Sequence, residues 1–131
     1  MTNAAHTMFA ADEASRALGI ELVEAGDGRA VATMTITRAM VNGHDIAHGG
    51  YVFLLADTAF ALACNSGDDT AVAAACDVVF VAPARSGDVL VAEAEARTRF
   101  GRRGIYDVAV RRDDGTVIAE FRGHSRIVPR A

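Results

Sequence analysis

The longest apolar run of the chain lies between His48 and Ser66 and reads HGGYVFLLADTAFALACNS. Its apolar residues fall on every side of a helical wheel, so the pattern predicts a helix over residues 50–66 that is buried all round. Gly67 follows the run and is expected to end the helix in a left-handed conformation. One acid, Asp57, stands in the middle, where a carboxylate is unfavourable unless it is paired, protonated or used in chemistry. We therefore expect Asp57 to be either a hydrogen-bonded structural acid or a functional group.

Strands are predicted on both sides of this helix from alternating apolar and polar positions. Residues 20–25 and 30–37 flank a glycine-rich turn and predict a hairpin. Residues 4–18 carry helix formers and predict one amphipathic helix at the start of the chain. Beyond the long helix, further strands are predicted over residues 70–82, 89–100, 105–112 and 116–128.

The order of these elements predicts the fold class. Most neighbouring strands are joined by short turns, so the sheet should be largely antiparallel. Such a sheet can bury the long helix by curving around it. With no repeat or linker in the sequence, we expect a single α+β domain over residues 1–131.

Composition narrows the functional classes. Apolar residues make up 51% of the chain and the mean hydropathy is +0.19, an apolar surplus that indicates subunit interfaces. The net charge of −4 argues against nucleic-acid binding. No long uncharged apolar run and no secretory signal are found, so we expect a cytoplasmic protein without a membrane span. Cys64 and Cys76 lie in apolar segments and are expected to be reduced core residues.

The loop before the long helix contains a spacing that is seen in metal sites. His44 and His48 are four positions apart and Asp45 lies between them. Glycines on both sides argue against a helical arrangement of these ligands, and no further Cys or His cluster supplies a third one. We therefore predict no metal, and activity that depended on a divalent ion would reverse that prediction.

Residues 42–66 carry the pattern N-G-H-x-x-x-H-G-G-x-x-F-x-L-A-D-x-A-F-A-x-A-C-N-S. It resembles the hallmark of the hotdog-fold acyl-CoA thioesterases, and among them it is most similar to the phenylacetate-pathway thioesterases. The resemblance implies a curved antiparallel sheet wrapped around one long helix. It also implies hydrolysis of an acyl-CoA to a free acid and coenzyme A without a metal or redox cofactor. The acyl group stays open between aryl-acetyl and short or medium aliphatic chains.

The resemblance assigns roles to four residues. Asp57 matches the catalytic carboxylate, which acts as a general base on water or attacks the carbonyl itself. Gly50 matches the glycine whose backbone N–H polarises the thioester carbonyl. His48 and Asn42 match loop residues that place the thioester or the water. For His48, ordering of the loop is an equal alternative, and Asn42 can equally be a turn residue.

Further polar residues are candidates for contacts with substrate. An acidic protein that binds the phosphates of coenzyme A needs arginine locally, although a solvated charge run explains the arginines equally well. Asn65 and Ser66 can instead end the helix, and Thr58 can bond back to it. The phenylalanines Phe53, Phe60 and Phe80 are expected in the core rather than in an acyl pocket. The candidate set for substrate or coenzyme A is Gly49, Thr58, Asn65, Ser66, Arg85, Arg99, Arg102 and Arg103.

Helix geometry predicts an oligomer. Gly50 and Asp57 are separated by about 10.5 Å along a helix, so one thioester carbon cannot reach both within a subunit. Two helices that meet antiparallel across a twofold axis would bring Asp57 of one to Gly50 of the other, which predicts at least a homodimer. The resemblance implies the same arrangement, with two dimers in a homotetramer. The alternatives are a non-catalytic acyl-CoA-binding hotdog module and a hotdog hydratase, and neither would release a free thiol.

Overall fold

The computed structural model describes residues 3–129. Within them lie three α-helices, a one-turn 3-10 helix at Arg38–Met40 and six strands. In chain order the elements are α1 Ala4–Ala10, α2 Glu13–Ala17, β1 Glu21–Gly26, β2 Arg29–Thr35, α3 Gly49–Cys64, β3 Ala71–Phe80, β4 Val89–Phe100, β5 Arg103–Arg112 and β6 Val117–Ile127.

The six strands form one sheet in the order β1-β2-β4-β5-β6-β3, and every pairing is antiparallel. α3 contacts all six strands, so the sheet surrounds one long helix. The predicted α+β class and the central helix are confirmed. No helix in residues 3–129 is long and apolar enough to cross a membrane.

Small residues on the inner face of the sheet allow α3 to approach it. Ala30 and Ala32 of β2 lie opposite Ala94 and Ala92 of β4, and all four are at most 2% exposed. On β6, Gly123 leaves room for the ring of Phe60, because a Cβ there would lie 2.7 Å from two ring carbons. The small side chains on the inner face are what make space for a helix inside the curve.

Within one subunit, α3 is not buried all round as predicted. One face of the helix packs into the core through residues such as Leu55 and Phe60, but the opposite stripe is only half-buried. Most side chains on this stripe are also apolar. The helical wheel therefore could not distinguish the two faces. The half-buried stripe contains Tyr51, Phe53, Leu54, Asp57, Ala61 and Cys64.

The bounds of α3 and of the helical segment at the start of the chain differ from those predicted. α3 begins at Gly49 and ends at Cys64, and Gly67 is not among the glycines with positive φ. At the start of the chain, the predicted single helix is two short ones. The break occurs because the side chain of Asp12 accepts a hydrogen bond from the N–H of Ser15 and so starts a second helix.

β3 is an edge strand, and two predictions failed there. Cys76 is exposed rather than buried, and Phe80 is 53% exposed. Phe60 is in the core as predicted, and Phe53 is half-buried against Phe121. Within residues 3–129, β3 pairs only with β6, so its outer edge and much of its apolar surface are uncovered.

Candidate active site

Asp57 lies in the third turn of α3 on the half-buried stripe. Burial raises the pKa of its carboxyl group above the ordinary value, and the negative charge of Asp12 raises it further. No residue in the described part of the chain donates a hydrogen bond to this carboxylate. A structural acid would be paired or hydrogen-bonded, so the environment of Asp57 fits a group that is kept basic for chemistry.

The start of α3 offers backbone N–H groups. His48 is the N-cap residue, and its Nδ1 accepts a hydrogen bond of 3.0 Å from the N–H of Gly50. The N–H of Gly49, the first residue of the helix, has no acceptor in residues 3–129. Of the two N–H groups, that of Gly49 is therefore available to a ligand and that of Gly50 is engaged.

The bond from Gly50 also fixes the protonation of the His48 ring. Because Nδ1 accepts a hydrogen bond, it carries no proton, and the proton of the neutral imidazole is on Nε2. The ring lies edge-on to Tyr51, with 6.3 Å between the ring centres. His48 thus orders the helix start, and a contact of its Nε2–H with substrate stays a prediction.

Asn42 organises the loop before the helix. Its Oδ1 accepts hydrogen bonds from the N–H groups of His44 at 2.9 Å and Ile46 at 3.4 Å. Its side-chain amide has no acceptor among the described residues. Asn42 is therefore a turn residue, and its Nδ2 is still free to donate to a ligand.

The same loop does not hold three metal ligands together. The Asp45 carboxylate is bonded to Arg38 at 2.7 Å, and His48 Nδ1 is engaged with the helix start. In residues 3–129 no group of three or more His, Cys, Asp or Glu side chains is arranged to hold a metal ion.

A cavity of about 510 Å³ lies against the start of α3. It is bounded by the loop at Asn42, by Val52 of the helix and by the segment that follows β3. The ring of Phe80 covers Gly49, since a Cβ at Gly49 would lie 2.9 Å from the ring Cζ. The cavity is mainly apolar, with the free amides of Asn42 and Gly49 at its edge.

Thr58, predicted as a substrate contact, is turned into the protein. It is 7% exposed, and its Oγ1 lies 2.8 Å from Oγ of Ser15. Ser15 in turn donates to the carboxylate of Asp12 at 2.6 Å. Asp12 and Ser15 were not predicted as part of the site, although an aspartate directly before a run of helix formers is a usual helix N-cap signal.

Asn65 and Ser66, two further predicted contacts, bond to the backbone at the other end of α3. Asn65 accepts from the N–H of Ala71 at 2.9 Å and donates to the carbonyl of the same residue at 3.0 Å. Ser66 Oγ accepts from the N–H of Gly28 at 2.9 Å. These bonds join the helix end to β3 and to the β1–β2 turn. A contact of either side chain with substrate stays a prediction.

The predicted arginines lie at two ends of the sheet. Arg99, Arg102 and Arg103 are at the β4–β5 turn, beside the end of α3, and Arg99 donates to the Tyr106 hydroxyl at 3.2 Å. Arg85 precedes β4 and lies near the start of α3. A strand of 12 residues, roughly 40 Å long, separates the two groups. One phosphate-bearing ligand cannot contact both within a single subunit.

Asp57 is also distant from the first residues of α3. Gly49 and Asp57 are eight positions from each other on one straight element, which is about 12 Å along its axis. A single subunit therefore holds both halves of the predicted site without joining them.

Comparisons with known proteins show the family of the chain. The thioesterase superfamily model matches residues 44–119, more than half of the chain. The sequence is 46% identical over 121 residues to the acyl-coenzyme A thioesterase PaaI of Escherichia coli (strain K12), and the match covers 92% of this chain and 86% of that protein.

Solved structures give the same result. The E. coli PaaI protein from the phenylacetic acid degradation operon superposes with a TM-score of 0.94 and 44% identity, over 96% of this chain and 91% of that one. A protein of Thermus thermophilus superposes with a TM-score of 0.84 and 33% identity, over 89% and 98% of the two chains.

Proposed function

Because the chain belongs to the thioesterase superfamily, we propose that it hydrolyses acyl-CoA thioesters, with Asp57 as the general base. The hotdog fold and the thioesterase class implied by the motif are confirmed by the family match and by the similarity to the E. coli acyl-CoA thioesterase. We also propose what the site residues do and which acyl group is preferred.

The observation that carries the mechanism is the half-buried carboxylate of Asp57, which has no donor in the described chain and a pKa above the ordinary value. A carboxylate of raised pKa is a better base than a free one, and we assign it to the activation of water as the general base. Asp57 takes a proton from water while the oxygen of that water bonds to the thioester carbon. The tetrahedral intermediate then breaks its C–S bond, and the departing thiolate of coenzyme A takes the proton from Asp57.

The developing negative charge on the carbonyl oxygen needs donors. We assign this role to the N–H of Gly49, which is free, together with Nε2–H of His48 and Nδ2 of Asn42. The N–H of Gly50, predicted from the motif, can contribute only if its bond to His48 opens. The helix dipole adds to the stabilisation because both glycines lie at the first turn of α3.

The active site is shared by two subunits. The 12 Å between Gly49 and Asp57 is bridged if two α3 helices lie antiparallel across a twofold axis. The half-buried stripe of α3 and the free edge of β3 support such a homodimer, because long exposed edge strands are normally paired or covered. Exposed apolar side chains on and after β3, Val72, Val79 and Val81, would then be covered. Association of two dimers into a homotetramer stays a prediction of the motif.

The antiparallel arrangement of two α3 helices would also bring the two arginine groups to the same site. In a site that contains Gly49 of one subunit, Arg85 of the same subunit lies nearby. Beyond Asp57 of the other subunit lies the end of its α3, with the β4–β5 turn and Arg102 and Arg103. Both groups thus face the same mouth in the dimer, although they are far apart in one chain. We propose that they contact the phosphates of coenzyme A; neither Arg85, Arg102 nor Arg103 has an ion-pair partner in residues 3–129.

The cavity beside Gly49 fits the acyl group. Its walls are apolar and include the exposed ring of Phe80, and aromatic rings stack favourably on one another. The related E. coli protein comes from a phenylacetic acid degradation operon. We therefore propose aryl-acetyl-CoA, and phenylacetyl-CoA in particular, as the preferred substrate. The proposed steps use no metal or redox cofactor.

A substrate panel tests the proposal. Phenylacetyl-, benzoyl-, butyryl- and octanoyl-CoA are compared by kcat/KM from release of free thiol. A reaction without substrate is subtracted throughout, because an exposed thiol such as that of Cys76 would react with the thiol reagent. Phenylacetyl-CoA is expected to be the best substrate. Binding of all four without thiol release would leave only an acyl-CoA-binding module.

A further inference from the structure

A row of three exposed side chains crosses the sheet at the end that carries the β4–β5 turn. Phe100 of β4 lies directly opposite Arg103 of β5, and Arg103 lies directly opposite Arg126 of β6. All three residues are exposed, Phe100 to 54%. An aromatic ring and two guanidinium groups thus stand side by side on three neighbouring strands.

This row lies on the outer face of the sheet, away from α3. Gly104 and Ser125, the next residues on β5 and β6, also lie opposite each other. They face inward, because a Cβ on Gly104 would lie 2.8 Å from Oγ of Ser125, which is 4% exposed. Successive side chains of a strand point to opposite faces, so Arg103 and Arg126 point outward.

Arg103 and Arg126 carry like charges that the described chain does not compensate. Like charges directly opposite each other are unfavourable in a sheet. Within residues 3–129, neither guanidinium group has an ion pair or a hydrogen bond. By contrast, Arg122, on the same face of β6, is bonded to Asp107 at 2.7 and 3.0 Å. The sheet neutralises Arg122 and leaves the pair of Arg103 and Arg126 open to an anion.

Phe100 adds an open aromatic face beside these charges. In the part of the chain that the structure describes, its ring contacts no other ring and no cation. Aromatic rings stack on nucleotide bases, and guanidinium groups form strong hydrogen bonds with phosphate. Two strand spacings separate Phe100 from Arg126, about 10 Å, so one nucleotide can contact both.

The acids near the turn determine which face suits a phosphate. Asp27, Asp68 and Asp69 line a cavity of about 180 Å³ at the end of α3, on the inner side of the turn. Arg99 lies in the same cavity and donates to the Tyr106 hydroxyl. The three aspartates repel a phosphate from the inner side, whereas the outer row contains no acid.

We propose that Phe100, Arg103 and Arg126 bind the nucleotide of coenzyme A, with the base on the ring and a phosphate between the two arginines. This inference rests on the proposed hydrolysis of acyl-CoA at Asp57. Cys64, the last residue of α3, lies about 10.5 Å beyond Asp57 along the helix axis, a distance that the extended pantetheine arm covers. The subunit that supplies Asp57 therefore also holds the nucleotide, beyond the end of its own α3.

Two thioesters that differ only in the nucleotide test the assignment. Phenylacetyl-CoA carries it, and S-phenylacetyl-4′-phosphopantetheine lacks it. Arg126→Gln should raise KM for phenylacetyl-CoA about fivefold to twentyfold, and Phe100→Leu about threefold to tenfold, with kcat nearly unchanged. Neither variant should change KM for the shorter substrate. The preference among acyl groups should also stay the same, because Phe100 meets only the part that all acyl-CoA substrates share.

The matched control is Arg122→Gln, which removes an arginine from the same face of β6 that is already paired with Asp107. Its KM should equal that of the wild type for both substrates. The inference is overturned if Arg126→Gln raises KM equally for both thioesters, or for neither. It is also overturned if Arg122→Gln has the same effect, because the loss would then reflect charge in general.

Calorimetric titration with free coenzyme A makes the test independent of hydrolysis. The wild type should bind coenzyme A about fivefold to twentyfold more tightly than Arg126→Gln does. Equal affinities, or no binding by the wild type, would contradict the nucleotide site. Failure of the proposed function has a different signature: the wild type would release no thiol from either thioester, while the difference in affinity for coenzyme A remained.

Discussion

The N–H of Gly50 donates to Nδ1 of His48 across 3.0 Å, so the helix that carries Asp57 is capped by the histidine directly before it. This bond has two consequences. It occupies the glycine N–H that the motif singles out, and it leaves the neighbouring N–H of Gly49 pointing out of the helix with no acceptor in residues 3–129. The first turn of α3 is thereby divided into a structural donor and a donor that is open to a substrate.

Substitution of His48 should separate capping from catalysis. His48→Asn keeps a good N-cap side chain but has no Nε2–H, so unfolding stability should be near that of the wild type while kcat falls. His48→Ala loses both the N-cap side chain and the Nε2–H donor, and its free energy of unfolding should drop by about 1 kcal/mol. Urea unfolding and thiol release measure the two effects. Equal kcat in His48→Asn and the wild type would show that the ring serves only as a cap.

The backbone N–H of Gly49 can be removed by substitution without breaking α3. Proline is well tolerated at the first helical position and has no N–H, and the ψ of 132° at His48 suits a residue before proline. Gly49→Pro should therefore lower kcat by about 10²–10³ with little change in helix content. Gly49→Ala is the matched control, because it places a Cβ against the same Phe80 ring but keeps the N–H. If the two variants have similar kcat, the N–H of Gly49 is not the oxyanion donor.

Asp57→Asn should stabilise the fold at neutral pH. Below the ordinary value of 3.8, Asp57 is protonated in the folded and unfolded states and contributes no difference. Between that value and the raised folded pKa, the unfolded state ionises first, so the wild type loses stability that asparagine retains. The melting temperature of the variant should exceed that of the wild type, and the gap should widen from acidic pH until the folded carboxyl group has ionised. A variant that melts lower at neutral pH would contradict the raised pKa.

Phe80 should contribute to aryl specificity. Phe80→Ala is expected to lower kcat/KM for phenylacetyl-CoA about twofold to tenfold relative to butyryl-CoA, because the ring–ring contact is lost. Phe100→Ala is the control, since Phe100 is 54% exposed, as Phe80 is 53% exposed, but lies at the β4–β5 end of the sheet. A uniform loss for both substrates would indicate a structural effect of Phe80 rather than recognition of the aryl group.

Local sequence signals predicted most of the elements. Alternation predicted β4 at its observed bounds, and the glycine turns predicted the β1–β2, β4–β5 and β5–β6 hairpins. The pairings of β2 with β4 and of β3 with β6 carry no local signal, because they depend on how the sheet closes around α3. The exposure of Cys76 and Phe80 was missed for the same reason: an apolar strand has the same pattern at an edge as in the middle of a sheet.

Within the candidate site, the sequence suggested functional residues but not their hydrogen-bond partners. The motif predicted Asp57, His48 and the glycine pair, whereas the choice between Gly49 and Gly50 depends on one side-chain hydrogen bond. Thr58 was a candidate for substrate contact because it is one of the few polar side chains on the long helix, with bonding back to the helix as the alternative. Its actual partner, Ser15, is 43 positions away, and such long-range pairs are not encoded in local spacing.

Mixing two inactive variants tests the shared site most directly. Asp57→Asn, expected to lose about 10²–10⁴ in kcat, and Gly49→Pro are each nearly inactive as homodimers, but a mixed dimer has one site with both wild-type groups. After unfolding and refolding of an equimolar mixture, about a quarter of wild-type activity should return, because half of the dimers are mixed and each has one intact site. Activity that stays at the level of the two separate variants, in a refolded mixture of normal mass, would place both groups in one subunit and contradict the account.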